Sequence, residues 1–359
     1  MKKNIAILPG DGIGQEIMPH AVKALHVIAE KYNHHFEFHE VEVGGAAFEK
    51  YGSHFPEQTK KICEQADAVL FGSVGGPVSE AHLPKWKNCE RNSILALRKT
   101  LNLSMNLRPA SVYPALAASC PLKDHVIKNG IDLLIVRELL GDIYFGEHKR
   151  WHQDNISFAS DVAEYNEKQI SSIAHRAFQL AKLRRGKLTS VDKANVLETS
   201  KLWREVVSHI ALDYPDVIFE NMLVDNCAMQ LVIDPAQFDV ILTANLFGDI
   251  LSDLAAALPG SLGLMPSASL NENGFGLYEP SGGSAPDIAG KNKANPIGQI
   301  LSAALLLRYS FGFYEEADAI EMAVQGALRS HYRTADIYHE GLQLVTTEQM
   351  ASAIIERIL

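Results

Sequence analysis

The run NLFGDILSDLAAAL places Asp249 and Asp253 four residues apart in an apolar stretch, just after the strand-like FDVILTAN. On a helix this spacing puts both carboxylates on one face, with Cβ atoms roughly 5–6 Å apart. Two carboxylates that close repel unless a cation stands between them. Oxygen donors of this kind suit Mg²⁺ or Mn²⁺. The other reading is a solvated helix face, and the apolar surroundings favour the metal. Asp225, in LVDN at the end of another strand-like run, is either a third carboxylate ligand or a helix cap.

Arg98, Arg108 and Arg137 sit in LALRK, NLRPA and LIVRE, at the edges of predicted strands and helices. A guanidinium grips a carboxylate with a planar two-pronged donor set, so three of them suit a di-acid. Taken singly, each reads as half of a surface ion pair. Tyr144 in GDIYFG and Lys193 in VDKAN are a candidate acid and base. A lysine that is desolvated or set near other cations can act at neutral pH. As residue types alone, the two are equally a packing tyrosine and a surface lysine.

Two glycine-rich stretches could cradle phosphates. LPGDGIGQEI, residues 8 to 17, follows an apolar run, but the third place of a G-x-G-x-x-G fingerprint falls on Gln15. EPSGGSAPDIAGKNKANPIG, residues 279 to 298, offers backbone amides and Asp287. An acid there can accept from ribose hydroxyls and would repel a 2′-phosphate. Composition leaves a nucleotide loop and a structural loop evenly matched.

The elements that must position these residues alternate. NIAILPG, DAVLFGSVGG, IDLLIVRE, KLTSVDKAN, DVIFENMLVDN and FDVILTAN read as strands. A helix is expected after Gly14, with Ile17, Ala21, Ala24, Leu25 and Ile28 at helical spacing. Others are expected in NSILALRKTL, capped by Asn92 or Ser93, from about Glu167 to Arg184, in LETSKLWREVVSHIA, and in two late segments. Residues 151 to 165 lack helical period and suggest a protruding hairpin. The alternation predicts an α/β protein with largely parallel pairing.

Composition excludes several classes. The 359 residues suffice for a large core and about two domains. A net charge of −10 and the absence of Lys/Arg blocks argue against nucleic acid. The N-terminal apolar run is too short for a signal peptide, and no apolar stretch suits a membrane span. Cys63, Cys89, Cys120 and Cys227 form no C-x-x-C pair and read as free buried thiols of a cytoplasmic protein.

In order along the chain, LPGDGIGQEI, LRKTLNLSMNLRPA, VRELLGDIYFGE, VDKANVLETSKLWR, NLFGDILSDLAAALPGSLGLMPSASL and YEPSGGSAPDIAGKNKANP resemble the β-decarboxylating dehydrogenases, the family of isocitrate and 3-isopropylmalate dehydrogenases. The likeness covers essentially the whole chain. It implies a two-domain α/β fold with a mixed, mostly parallel sheet that is not a Rossmann fold. One domain would comprise 1–103 and 256–359, with the NAD-binding loop at 279–298. The other would comprise 104–255, with the dimer interface and an interlocking arm near 151–165.

The resemblance also implies roles. PGDGIG becomes a strand-to-helix turn at the cleft edge rather than a phosphate loop. NAD⁺ would be held by Gly283, Ser284, Ala285, Pro286, Asp287, Ile288 and Asn295, with a segment from Pro77 to Glu90 on the nicotinamide side. Many relatives carry a histidine where this chain has Gly282, so another side chain must cover the adenine. Arg98, Arg108 and Arg137 would bind the malate carboxylates. Asp225, Asp249 and Asp253 would hold Mg²⁺ or Mn²⁺, with Asp225 close to the substrate as well. Tyr144 would be the general acid and Lys193 the base. In relatives Lys193 and Asp225 come from the other subunit, which implies a homodimer with shared sites.

Within the family, the side-chain pocket decides the substrate. Ile94 precedes Arg98 by one helical turn, and with Leu95 and Val196 it suits an isopropyl group. The expected reaction is oxidative decarboxylation of 3-isopropylmalate to 2-oxoisocaproate, a step of leucine biosynthesis. Homoisocitrate and tartrate are the alternatives within the family, and a non-catalytic regulatory subunit is the alternative outside catalysis. Arg91, which could reach an extra carboxylate, is expected to pair with Glu90 instead.

Overall fold

Ile5, Ala6, Ile7 and Leu8 are fully buried in the first strand, as an apolar run closed by Pro-Gly requires. The computed structural model describes all 359 residues. In chain order its principal strands are β1 (Lys2–Gly10), β2 (His35–Glu40), β3 (Ala68–Ser73), β4 (Met105–Ser111), β5 (Asp132–Glu138), β6 (His148–Gln153), β7 (Ile156–Asp161), β8 (Lys187–Asp192), β9 (Ile218–Leu223), β10 (Val240–Thr243), β11 (Pro266–Leu270) and β12 (Gly276–Pro280).

The chain divides into two units: Met1–Leu103 with Tyr113–Pro121 and Pro259–Leu359, and Ser104–Val112 with Leu122–Leu258. The segment Tyr113–Pro121 joins the first unit, where resemblance had put it in the second. Arg333 donates to the Ala115 carbonyl, and the Ser119 hydroxyl meets His339.

In the first unit the strand order is β2-β1-β3-β12-β11. All neighbours are parallel except β11 and β12. The helix Ile297–Tyr309 packs on β11 and β12 and against the helices Gly14–Tyr32 and Tyr314–Arg329. Every residue from Ile297 to Leu307 is buried, as expected for a helix apolar on all sides.

In the second unit the order is β4-β5-β10-β8-β9, antiparallel only between β4 and β5. The helices Glu167–Leu183 and Glu198–Ile210 pack on each other and on this sheet. The Glu167 helix buries Ile170, Ile173, Ala174, Ala177, Phe178 and Ala181 and starts in an Asn166/Gln169 capping box. The expected hairpin is real and begins earlier: β6 and β7 pair antiparallel from His148, and every residue but Ser160 is exposed.

The strands with little apolar signal, β2, β4, β11 and β12, are additions to the sequence reading. The cap at Asn92 or Ser93 does not form. Backbone at Glu90 is already helical (φ −63°, ψ −42°), residues Arg91–Leu95 make a π turn, and the Ser93 hydroxyl donates back to the Cys89 carbonyl. Arg91 forms no ion pair with Glu90, whose carboxylate turns towards Gly75.

The first glycine-rich stretch is a packing device. A Cβ on Gly10 (φ +71°) would stand 1.9 Å from the Ser73 carbonyl oxygen, and one on Gly12 (φ +56°) 2.0 Å from that of Ser284. Between them, buried Asp11 accepts the N–H groups of Gly45, Ala46 and Gly75 at 2.8, 2.8 and 3.0 Å. Burial pushes its carboxyl above the usual range, against the pull of those three N–H groups. The turn of β1 is thus pinned to the turn after β3 and to the segment after β2. Asp11→Ala would strand three donors, two of them fully buried, and should cost roughly 3 kcal/mol of unfolding free energy, read as a lower urea midpoint. An unchanged midpoint would show that the three turns hold without it.

Candidate active site

Ligand sites on α/β sheets gather at the carboxyl ends of parallel strands. In the second unit Arg137 lies at such an end, on β5 beside Thr243 of parallel β10. Antiparallel β4 sets Asn106 opposite Arg137, so Arg108, two residues on, shares its face. After β10 the chain turns into the helix Asn245–Ala256, which carries Asp249 and Asp253.

These side chains form one cluster. The Arg137 side chain is only 3% exposed; its Nε donates to Asn245 Oδ1 at 2.9 Å, and a terminal nitrogen donates to Asp249. Arg108 donates through Nε to Asn106 at 2.9 Å and reaches Asp253 at 3.4 Å. The Tyr144 hydroxyl donates to the second Asp249 oxygen at 2.6 Å, and the Arg137 guanidinium lies 5.4 Å from the Tyr144 ring centre. Burial would raise the Asp249 carboxyl, but Arg137, the Tyr144 hydroxyl and Arg108 outweigh it and hold it below its usual value. Tyr144 is pushed up to about 12, first by burial and then by its bond to the Asp249 carboxylate. The cluster therefore holds a neutral phenol against a carboxylate and two guanidinium ions.

A second pair stands in the same unit. Lys193 follows β8 and Asp225 opens the helix Val224–Ile233 after β9; Lys193 Nζ lies 2.5 Å from Asp225 Oδ1. The hydrogen bond from Lys193 holds the exposed Asp225 carboxyl below its usual value. Asp192, just before Lys193, receives both prongs of Arg204 at 2.9 and 2.8 Å. The three aspartates do not converge within one chain: no group of three His, Cys, Asp or Glu side chains stands close enough to hold an ion. Asp249 and Asp253 supply hard oxygen donors suited to Mg²⁺ or Mn²⁺, and Asp225 of the same chain stands apart from them.

In the first unit Arg98 pairs with Glu279 at 3.0 Å, while its Nε is buried with no partner. A buried donor without an acceptor leaves one guanidinium N–H available to an anion. Ile94 is 9% exposed and Leu95 half-buried. Of the loop expected to hold NAD⁺, Asp287 is exposed with its carboxylate unengaged, and a Cβ on Gly282 or Gly283 would meet open space or a contact at 4.0 Å. The Ser284 carbonyl accepts the Ile13 N–H at 2.8 Å, which ties this loop to the first glycine-rich turn. Ala285 has φ +39°. Pro77 precedes a short turn and Glu90 is exposed. The Asn295 side chain is turned inwards, donating to Asp336 and accepting from the Ile297 N–H. Val196, after Lys193, is 63% exposed.

Sequence reasoning missed Glu279, Asn106 and Asn245, the residues that hold the three arginines. It also missed why Gly248 is glycine. A Cβ there would stand 2.5 Å from Arg137 Cγ, so the bare helix face is the slot for the arginine stem. Gly248→Ala should cost about 1–3 kcal/mol by overpacking, measured by thermal unfolding. An unchanged midpoint would mean that Arg137 moves aside freely.

Residues 4–354 match the model of the isocitrate/isopropylmalate dehydrogenase family. The chain is 54% identical over 346 residues to a 3-isopropylmalate dehydrogenase from Sodalis glossinidius, covering 96% of this chain and 95% of that one. It is 53% identical to one from Yersinia pestis, covering 99% and 98%. Among solved structures it is similar to an isocitrate dehydrogenase from Methylococcus capsulatus, with a TM-score of 0.87, 35% identity and 99% of both chains covered. A β-decarboxylating dehydrogenase from Thermococcus kodakarensis gives a TM-score of 0.80 at 35% identity, covering 99% and 96%. The full-length match and the arginine, tyrosine and aspartate cluster at the strand ends agree: the chain belongs to the isocitrate/isopropylmalate dehydrogenase family.

Proposed function

We propose that the protein oxidises and decarboxylates 3-isopropylmalate to 2-oxoisocaproate with NAD⁺ as acceptor, in leucine biosynthesis. The observation that carries the substrate is buried Ile94 ahead of Arg98, in a chain about half identical over its length to relatives named 3-isopropylmalate dehydrogenase. An isopropyl group against Ile94 and Leu95 gains about 2–3 kcal/mol. An extra carboxylate there would be buried without a partner, which costs more.

In this reading Arg98, Arg108 and Arg137 grip the two carboxylates of the di-acid. Asp249 and Asp253, with Asp225 of a second copy, would hold Mg²⁺ or Mn²⁺. The exposed Asp287 suits ribose hydroxyls and so favours NAD⁺ over its 2′-phosphorylated form. What these groups supply when bound is a hydride acceptor at C2 and a Lewis acid at the C2 oxygen. Lys193 takes the C2 hydroxyl proton as hydride leaves C2. The C4 carboxylate departs as CO₂, its bonding electrons forming the enolate of the C2 ketone. Tyr144 then delivers a proton to C3. Its raised pKa keeps the phenol protonated at neutral pH, as a proton donor must be.

The need for a second copy is supported by two features. The β6–β7 hairpin is exposed, with Trp151 stacked on Phe158, and an isolated hairpin is marginal in water. The neighbouring helices Val224–Ile233 and Asn245–Ala256 expose Met229, Val232, Ile233 and Ile250. We assign both to a homodimer in which Lys193 and Asp225 serve the partner's site.

The first test is NADH formation with Mg²⁺, NAD⁺ and either 3-isopropylmalate, isocitrate, homoisocitrate or tartrate. Strong preference for 3-isopropylmalate is expected; preference for a tri-acid would move the pocket to Arg91. Tyr144→Phe should keep substrate affinity but lose roughly 10²–10⁴ in turnover, and near-normal turnover would remove its role. Mixing and re-dimerising Tyr144→Phe with Lys193→Ala should restore roughly a quarter of wild-type activity, because half the dimers are hybrids with one intact site. No recovery would put Tyr144 and Lys193 in one chain's site.

A further inference from the structure

The helix that carries Asp249 and Asp253 begins without a cap of its own. The residue before it is Ala244, which has no side-chain acceptor, so the first N–H groups of the helix need acceptors from elsewhere. Tyr165 supplies one, from 80 residues away: its hydroxyl oxygen accepts the Asn245 N–H at 2.9 Å. Asp142 takes the next, accepting the Leu246 N–H at 3.0 Å. The Tyr165 hydroxyl proton goes to Glu138 Oε2 at 3.1 Å. Glu138 also accepts the N–H groups of Leu140 and Gly141 at 2.8 Å each, so its carboxylate fixes the loop that leaves β5. The Asn245 side chain closes the circuit, accepting from Arg137 Nε and donating to the Gly141 carbonyl at 3.1 Å.

The result is a ring: Arg137 to Asn245, Asn245 to Tyr165, Tyr165 to Glu138, and Glu138 back to Arg137 as its chain neighbour. All four residues are buried. The Tyr165 ring lies where a side chain on Gly141 would be, 2.3 Å from its Cβ position, and meets Trp203 edge-on at 5.6 Å. A hydroxyl held by one donor and one acceptor inside such packing has no freedom to rotate away.

We infer that Tyr165 is a positioning residue: through Asn245 and Glu138 it sets the register between β5 and the Asn245–Ala256 helix, and so the place of Arg137 relative to Asp249. This rests on the reading of Arg137 as a substrate-carboxylate arginine. Tyr165 itself touches none of Arg137, Tyr144, Asp249 or Asp253 through the bonds above. Its removal should therefore act on substrate binding through Arg137 and leave the NAD⁺ loop alone.

The test is Tyr165→Phe, alone and combined with Arg137→Lys, compared with wild type. The single variant should raise KM for 3-isopropylmalate roughly tenfold, the effect of one lost buried hydrogen bond and a stranded partner, with KM for NAD⁺ unchanged. In the Arg137→Lys background the same change should raise KM less than about twofold, because both act on one interaction. Amide hydrogen exchange at Asn245 and Leu246 should quicken in Tyr165→Phe whatever the substrate. A wild-type KM, an equal rise in both backgrounds, or a lower melting temperature with unchanged KM would each overturn the inference. If Tyr165→Phe does not fold, Glu138→Gln, which weakens the hold on the Tyr165 hydroxyl without removing a side-chain partner of Arg137, takes its place with the same readouts. Wild-type protein that turns over none of the four acids would sink the functional reading alone, and exchange at Asn245 would still decide the role of Tyr165.

Discussion

A guanidinium ion hidden to 3% exposure governs the second unit. A charge so far from water is tolerated only when each donor is answered and an opposite charge is close. Arg137 therefore dictates its neighbours. Asn245 must accept from Nε, Asp249 must be ionised, and Gly248 must lack a side chain for the stem to pass. The demand propagates outwards, since Asn245 is held in turn by Gly141 and Tyr165. Removing one partner would leave a buried charge uncompensated, which is far costlier than the pair is stabilising.

Asp249 and Asp253 share a helix face, and repulsion between them suggested a cation. In the folded chain that cation is supplied by protein: Arg137 answers Asp249 and Arg108 answers Asp253. Asp225 is answered likewise by Lys193. Each proposed metal ligand rests against a cation that the proposed chemistry assigns to another task, substrate binding for the arginines and proton removal for the lysine. A di-acid with a divalent ion presents both signs of charge at once. It would let the arginines and the carboxylates exchange partners with no net charge left unanswered, which favours binding the two together over binding either alone.

Strands β1, β3, β5 and β10 were legible because they are buried and read as apolar runs. HFEFHE in β2 and MNLRPAS in β4 were not, since one is polar at most positions and the other carries a proline. The arginines and Asp249 stood out by residue type and spacing. Tyr165 and Asn245 did not, because their bond spans 80 residues and hydrogen-bond partners at that distance leave no local periodicity. The first glycine-rich turn was ambiguous in composition for a related reason. Close backbone approach and phosphate binding both call for glycine, and only the position of Ser73 and Ser284 over Gly10 and Gly12 tells them apart. Asn295 had the right type for a nucleotide contact, yet its two amide ends are engaged inside the first unit.

In the proposed reading, substrate choice rests on a short irregular stretch. Residues Arg91–Leu95 make a π turn, which closes its hydrogen bonds over five residues rather than four and recurs at functional sites. Ile94 and Leu95 ride on that turn, and Arg98 follows in the next. Arg98 already shares its charge with Glu279, so an added carboxylate beside Ile94 would bring a second negative charge to one guanidinium. Arg91 is exposed and offers that carboxylate no enclosed partner. An isopropyl group asks for none of this, and it removes apolar surface from water. On that reading, discrimination would come less from how well the branched chain fits than from the cost of leaving a charge unpaired, which is the larger of the two.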